Sequence, residues 1–470
     1  MEVHSLALAP AGVHATTPSR GGEAMTMLRI SLPIAAGFLA EMGMHLTDTI
    51  IIGRQLGSIA FSAVTVSGNI LWSILFLAMA VVSIVGTLAA QSHGAGDHKT
   101  ISHVVRQGFW IATVLSVPAV ILGWNMAPLL HVFGQDDRVV AIANQYMQAL
   151  VWSFLPYMWF TVLRNFVTAL ARTVSVMVVT VAAIGLNFVV VYSLVTGAFG
   201  LPAMGPRGAG FGTTLVNWAM FAALAFHVTR AEPFRGYRVF SQLERIDLSV
   251  CARIFRLGIP ASGTYAIESG LFIIVQLLMG IIGIAALSAN QVAYTFGGLV
   301  FMIPAAISHA AAARVGFWLG AGNLPAMRQS GFIAFGLCIP YMAMTSLFMW
   351  FFPRVIVGIF LDAGSADAAS IMSIAVTLLA IGAVFQIVDG TQYIALGALR
   401  GINDTTVPFW LGLVGYWGIG LGIGYPLAFS FGWGPAGLWS GMAVGLAVTS
   451  AMLTWRFHHR SAVMLAGKPD

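Results

Sequence analysis

Charge is what this chain is shortest of. Only 8% of its 470 residues are Asp, Glu, Lys or Arg, against roughly 25% in a soluble domain. So little charge cannot build a water-facing surface. With 59% apolar side chains and a mean hydropathy of +0.88, the chain reads as an integral membrane protein. Its two lysines are Lys99, preceded by His98, and Lys468, followed by Pro469. No Gly-Lys-Ser/Thr phosphate loop exists, so an ATP motor is excluded. None of the 11 histidines is followed by Glu. A zincin is thereby excluded, which disfavours an intramembrane enzyme. The two cysteines, Cys251 and Cys338, lack CxxC spacing, which argues against a disulfide framework or a thiolate metal site. Basic residues never form a long run, so the net charge of +6 speaks for topology rather than for nucleic acid. Residues 1–27 lack a basic segment ahead of an apolar one and read as a loose cytoplasmic tail, not a signal peptide.

What is present is a series of apolar runs. About 20 apolar residues span the hydrocarbon as helix. Runs of that length lie near 29–52, 62–90, 104–128, 143–170, 174–198 and 211–229, and again near 255–283, 286–312, 330–352, 370–398, 407–430 and 435–457. With the N-terminus inside, the outer connections hold only Arg54, Arg138, Arg207 and Arg354, Arg164 falls within a span, and the remaining basic residues lie inside. The bias of basic residues towards the cytoplasm therefore predicts a multi-pass inner-membrane protein with both termini cytoplasmic.

The twelve runs are a duplication. Arg29 to Gly43 aligns with Arg256 to Gly270, matching Pro33 with Pro260 and Glu41 with Glu268 at an offset of 227. Gly57/Gly283 and Gly94/Gly320 through Gly96/Gly322 follow at 226, and Gly205/Gly432 and Gly210/Gly437 return to 227. Six being even, the halves enter the membrane in the same direction, as parallel repeats. The expected fold is all-α integral membrane: twelve transmembrane helices as two parallel six-helix lobes around a central cavity. Lobes are expected over 28–230 and 254–457, joined by a cytoplasmic linker at 231–253, with tails at 1–27 and 458–470. Small residues at Gly437, Gly441 and Gly445, and at Gly418 and Gly422, predict close helix packing.

Four acids lie inside the apolar runs: Glu41, Asp48, Glu268 and Asp389. Ionisable groups at membrane depth are costly and mark ion or substrate paths. Glu41, His45 and Asp48 share a stripe of the first helix, while Gln386, Asp389 and Tyr393 share a face of the tenth. If the seventh and tenth helices meet, Glu268 and Asp389 form a pair that cannot stay doubly charged without a cation or proton between them. Asn187, Thr213 and Thr214 would offer neutral oxygens to a hard cation such as Na⁺ held by Asp48. Prolines 33, 260 and 304 interrupt spans and permit bends.

Three segments carry a family resemblance: Met42 to Gly57 (MGMHLTDTIIIGRQLG), Phe301 to Gly316 (FMIPAAISHAAAARVG) and Phe385 to Pro408 (FQIVDGTQYIALGALRGINDTTVP). They resemble multidrug and toxic compound extrusion (MATE) transporters of the NorM type, over about residues 28–457. The resemblance implies a secondary active antiporter that exports organic, often cationic drugs in exchange for Na⁺ or H⁺ by alternating access. It implies no cofactor beyond the coupling ion, and a monomer in the lipid bilayer. Asp48 looks like the N-lobe carboxylate, and Glu268 with Asp389 like the C-lobe cation pair, so Na⁺ is expected at one of these sites. Glu41 is assigned to the cation- or proton-binding acids by the repeat alignment. Phe385 and Val191 stand where some relatives carry a Tyr and a second acid. The alternative, a flippase for a lipid-linked sugar or peptidoglycan precursor, would need basic residues within the spans, and only Arg164 qualifies.

Overall fold

The computed structural model describes residues 17–132, 134–361 and 368–467. Among them every regular element is helical. The first half contains α1 (Arg20–Gly94), α2 (His98–Trp124), α3 (Met126–Val132), α4 (Asp137–Leu150), α5 (Phe154–Ala169), α6 (Val174–Thr196) and α7 (Pro206–Arg230). The second contains α8 (Leu248–Ile282), α9 (Ile284–Gly320), α10 (Leu324–Phe351), α11 (Pro353–Phe360), α12 (Ala368–Gly401), α13 (Thr406–Leu413), α14 (Gly422–Phe429) and α15 (Gly434–Leu465).

These elements make twelve membrane crossings. At 75 residues α1 would measure roughly 110 Å as one straight rod. It is two spans, broken at Gly57, whose φ of 82° and ψ of −179° leave the helical region. The fourth crossing joins α4 to α5 through a short 3₁₀ turn, Val151–Ser153. The eleventh joins α13 to α14 through a π-helical stretch, Val414–Leu421.

The duplication is visible in the backbone. Gly283, the counterpart of Gly57, breaks the chain between α8 and α9 with φ 153°. Gly96 and Gly322 both have φ 71°, a conformation that side chains with a Cβ rarely adopt. Each precedes a residue capping the following helix: Asp97 accepts from the Thr100 amide, and Asn323 from the Ala326 amide. These caps satisfy amides that the first helical turn leaves without partners. The short helices α3 and α11, absent from the sequence expectation, follow the third span of each half. They are too short to leave a membrane-length apolar signature.

Glycine packing is as expected for α15 but not for its partner. A Cβ at Gly441 would strike the Gly424 backbone, and one at Gly445 would lie 2.5 Å from the Gly415 oxygen. Gly415, Gly420 and Gly424 therefore form the contact stripe, not Gly418 and Gly422, because the π-helical turn shifts the register of the facing side. Pro33, Pro260 and Pro304 all sit within helices that continue past them.

The chain divides into two compact units at places other than the expected lobe boundaries. One runs from Pro33 to Ser262, and the other gathers the described residues up to Leu32 with those from Gly263 onward. Residues 20–27, expected as tail, are the start of α1 and bury Glu23 and Met27. At the other end, α15 extends through the expected tail to Leu465. Residues 1–16 and 468–470 of the two expected tails lie outside the described residues.

Candidate ion-binding sites

In the first half, α1 presents its acids to two different neighbours. Asp48 is buried, with 7% of its surface exposed. Asn187 Nδ2 on α6 donates to Asp48 Oδ1 at 2.6 Å, and Thr213 Oγ1 on α7 donates to Oδ2 at 2.9 Å. The same amide reaches the Met44 carbonyl at 3.4 Å, while Asn187 Oδ1 is buried without a hydrogen-bond partner among the described residues. Asp48 is thus held by two neutral donors, with no basic side chain among its hydrogen-bond partners in the described residues. Thr214, expected beside Asp48, instead bonds the Ala149 carbonyl at 2.8 Å. Neighbouring residues on a helix point about 100° apart, so only one threonine can face α1. Val191 packs against Gly212.

Glu41 has a different environment. Arg164 Nη1 donates to Glu41 Oε1 at 2.7 Å, and the Tyr157 hydroxyl donates to Oε2 at 3.0 Å. Both donors come from α5, where a seven-residue spacing puts them on one face. The guanidinium also lies 5.6 Å from the Phe38 ring centre and 6.0 Å from that of Phe160. Glu41 was expected among the cation- or proton-binding acids; here its charge is already balanced by a side chain. Arg164, the lone arginine inside a span, signals that partner, but the sequence does not pair the two. His45 turns its ring edge to Trp72 at 5.9 Å rather than bridging Glu41 and Asp48.

The second half brings its two acids together. Glu268 on α8 and Asp389 on α12 are 8% and 6% exposed, and their charges act on one another. Tyr294 and Tyr416 stand within electrostatic reach of both acids. Tyr393 does too, and its ring edge meets Phe301 at 4.8 Å. Among the described residues no arginine forms an ion pair with either acid. Asp389 Oδ1, the Tyr416 hydroxyl and both amide atoms of Gln392 are buried without hydrogen-bond partners among the described residues. Tyr416 arrives on the π-helical stretch, whose register no apolar periodicity reveals. Gln392, three residues beyond Asp389, carries a readable spacing signal that composition alone obscures.

The remaining expected residues have defined places. Gln386 donates to the Gly297 carbonyl on α9 at 3.3 Å, which ties α12 to α9. Phe385 packs between Phe272 and Trp439 at 6.2 and 5.9 Å. Tyr294 also lines a cavity of about 40 Å³ with Phe272, Gln276, Asn290, Trp439 and Met442. That volume accommodates a few waters and is too small for an organic drug. Among the described residues no three His, Cys, Asp or Glu side chains cluster for a metal.

Buried acids inside duplicated bundles of membrane-spanning helices define a multi-pass membrane transporter. The family described as MatE matches residues 33–193 and 260–426, and the chain belongs to it. "Multidrug resistance protein NorM" of Burkholderia vietnamiensis is 35% identical over 453 residues, covering 96% of this chain and 97% of that protein. "Probable multidrug resistance protein NorM" of Brucella suis biovar 1 is 36% identical over 452 residues, covering 95% and 96%. The fold is that of solved MATE structures. A MATE in the bent conformation superposes with a TM-score of 0.85 at 17% identity, covering 95% of this chain and 97% of that one. A eukaryotic MATE transporter gives 0.83 at 21%, covering 94% and 98%.

Proposed function

We propose that this chain is a multidrug efflux transporter that exports organic, often cationic compounds in exchange for Na⁺ or H⁺ by alternating access. In this reading it acts in the inner membrane as a monomer with both termini cytoplasmic. The observation that carries the coupling is the Glu268–Asp389 pair, two buried acids with no basic partner among the described residues. Such a pair holds a cation or proton as a consequence of like-charge repulsion in a dry site. Asp48, held by two neutral donors, supplies a separate site in the first half. Each charge moved across the membrane potential contributes about 2.3 kcal/mol per 100 mV, enough to drive concentrative export.

The coupling ion is a substrate of this cycle. The carboxylate oxygens of Asp48, Glu268 and Asp389 suit Na⁺ as a hard ion, and each can also take up H⁺. When one Na⁺ or H⁺ loads the pair, its charge falls from two negative units to one and the surrounding tyrosines no longer face two bare anions. The flippase reading loses its one intramembrane anion-binding candidate, because Arg164 is already engaged by Glu41. Ethidium export from proteoliposomes under imposed Na⁺ or H⁺ gradients tests the assignment with wild type, Asp48→Asn, Glu268→Gln and Asp389→Asn. Gradient-driven export is expected for wild type and its loss for the C-half variants. Undiminished export in all three variants would overturn the site.

A further inference from the structure

The segment ahead of each half's first span docks on a span of the other half's sequence, and the two dockings follow one plan. The first arm, residues 17–32, belongs to the unit that begins again at Gly263. Glu23 there is 1% exposed. Arg314 at the end of α9 grips it in two-pronged fashion, Nε to Oε1 at 2.8 Å and Nη2 to Oε2 at 2.6 Å. Ser330 on α10 donates to Oε1 at 2.6 Å, and Trp318 Nε1 donates to the same oxygen at 3.3 Å. Upstream, Gln329 donates to the Pro18 carbonyl at 3.1 Å, and the Thr17 hydroxyl donates to Asn323 Oδ1, at the cap of α10, at 3.3 Å.

The second arm, residues 237–251, runs along α2 within the other unit. Ser102 donates to the Tyr237 carbonyl at 2.6 Å, Arg106 to that of Ser241 at 3.0 Å and Trp110 to that of Leu243 at 2.6 Å. Gln107 donates to the Arg245 carbonyl and accepts from the Asp247 amide, and His103 meets the Asp247 carboxylate at 2.9 Å. α2 is the third span of the first half and α10 the third span of the second, so the arms occupy corresponding places.

We infer that the halves exchange arms, and that Glu23 is the positioning residue anchoring the first arm permanently on α9 and α10. The stretch expected as a free linker is then a second anchor. Each half's first span starts on one unit and, from Pro33 or Gly263 onward, belongs to the other. A carboxylate with four donors and almost no exposure is a fixture, because releasing it would strand two charges away from water. This inference goes beyond the transport reading and has a readout that needs no transport.

The test uses full-length protein with Cys251→Ser, leaving buried Cys338 in place. In Met27→Cys, at a position of this arm that is fully buried, thiol labelling is slow when Glu23 is present, and Glu23→Gln is expected to speed it at least tenfold in the monodisperse fraction. The exchanged pair Glu23→Arg with Arg314→Glu is expected to restore slow labelling. Bridging Thr17→Cys to Asn323→Cys with a short thiol crosslinker is expected to leave ethidium export within twofold of the unbridged protein. Unchanged labelling in Glu23→Gln overturns the anchor. Loss of export on bridging overturns its permanence, since the arm would then have to move.

Discussion

The first half pairs its first-span glutamate with an arginine on the fourth span; the second half pairs its own with an aspartate. Glu41 and Arg164 make a closed pair at 2.7 Å, whereas Glu268 on α8 and Asp389 on α12 are buried within electrostatic reach of each other and of Tyr294 and Tyr416. One duplicated scaffold thus holds a self-neutralised pair and a pair of unneutralised acids at corresponding helices. The contrast teaches that a buried acid is a coupling candidate only when its charge is unanswered. By that criterion Asp48, held by an amide and a hydroxyl, groups with the second half rather than with Glu41, seven residues away.

Removing the unanswered charges should have the largest effect. Glu268→Gln with Asp389→Asn is expected to abolish gradient-driven ethidium export in proteoliposomes while leaving the folded yield near wild type. Breaking the answered pair should hit stability instead. Arg164→Ala strands Glu41 and is expected to destabilise by about 3–5 kcal/mol, whereas replacing both partners with Met should be far milder. Thermal unfolding in detergent of the two singles and the double measures this, and a double as damaging as Arg164→Ala would contradict the closed-pair description.

Two adjacent threonines sharpen the comparison further. Thr213→Val removes a donor to Asp48 and is expected to alter ion dependence several-fold. Thr214→Val loses only its bond to Ala149 and should cost about 1 kcal/mol of stability without changing ion dependence. Equal ion-dependence shifts in both would erase the distinction drawn between them.

The smallest effect belongs to Asp247 in the second arm. Hydrogen bonds from the Ser249 side chain first, and from His103 next, hold its carboxyl well below the ordinary range. The charged form is favoured in the folded state. Its stabilisation is therefore present above the unfolded value of about 3.9 and is lost as pH falls through the lower folded value. Melting curves of wild type and Asp247→Asn should differ modestly at neutral pH and converge in strong acid.

Legibility differed by element. The α1 acids and the Gly57/Gly283 and Gly96/Gly322 matches were readable, because charge in an apolar run and glycine at a turn each leave a local mark. The Glu41–Arg164 bond was not, though both residues stood out singly, since nothing in sequence spacing brings α1 to α5. Thr213 and Thr214 were equally good candidates on paper; helix rotation decided between them. Tyr416 and the contact stripe of Gly415, Gly420 and Gly424 leave no mark in the sequence because a π-helical turn breaks the 3.6-residue periodicity there.

By itself the sequence determined that the chain lives in lipid, that it is a duplicated six-span unit, and which four acids lie inside the spans. These follow from composition and periodicity, which are local properties of a chain in hydrocarbon. Only the tertiary structure decided which acids are answered and which arms are exchanged. Both depend on contacts between residues over a hundred positions apart, where packing and electrostatics, not neighbouring sequence, select the partner.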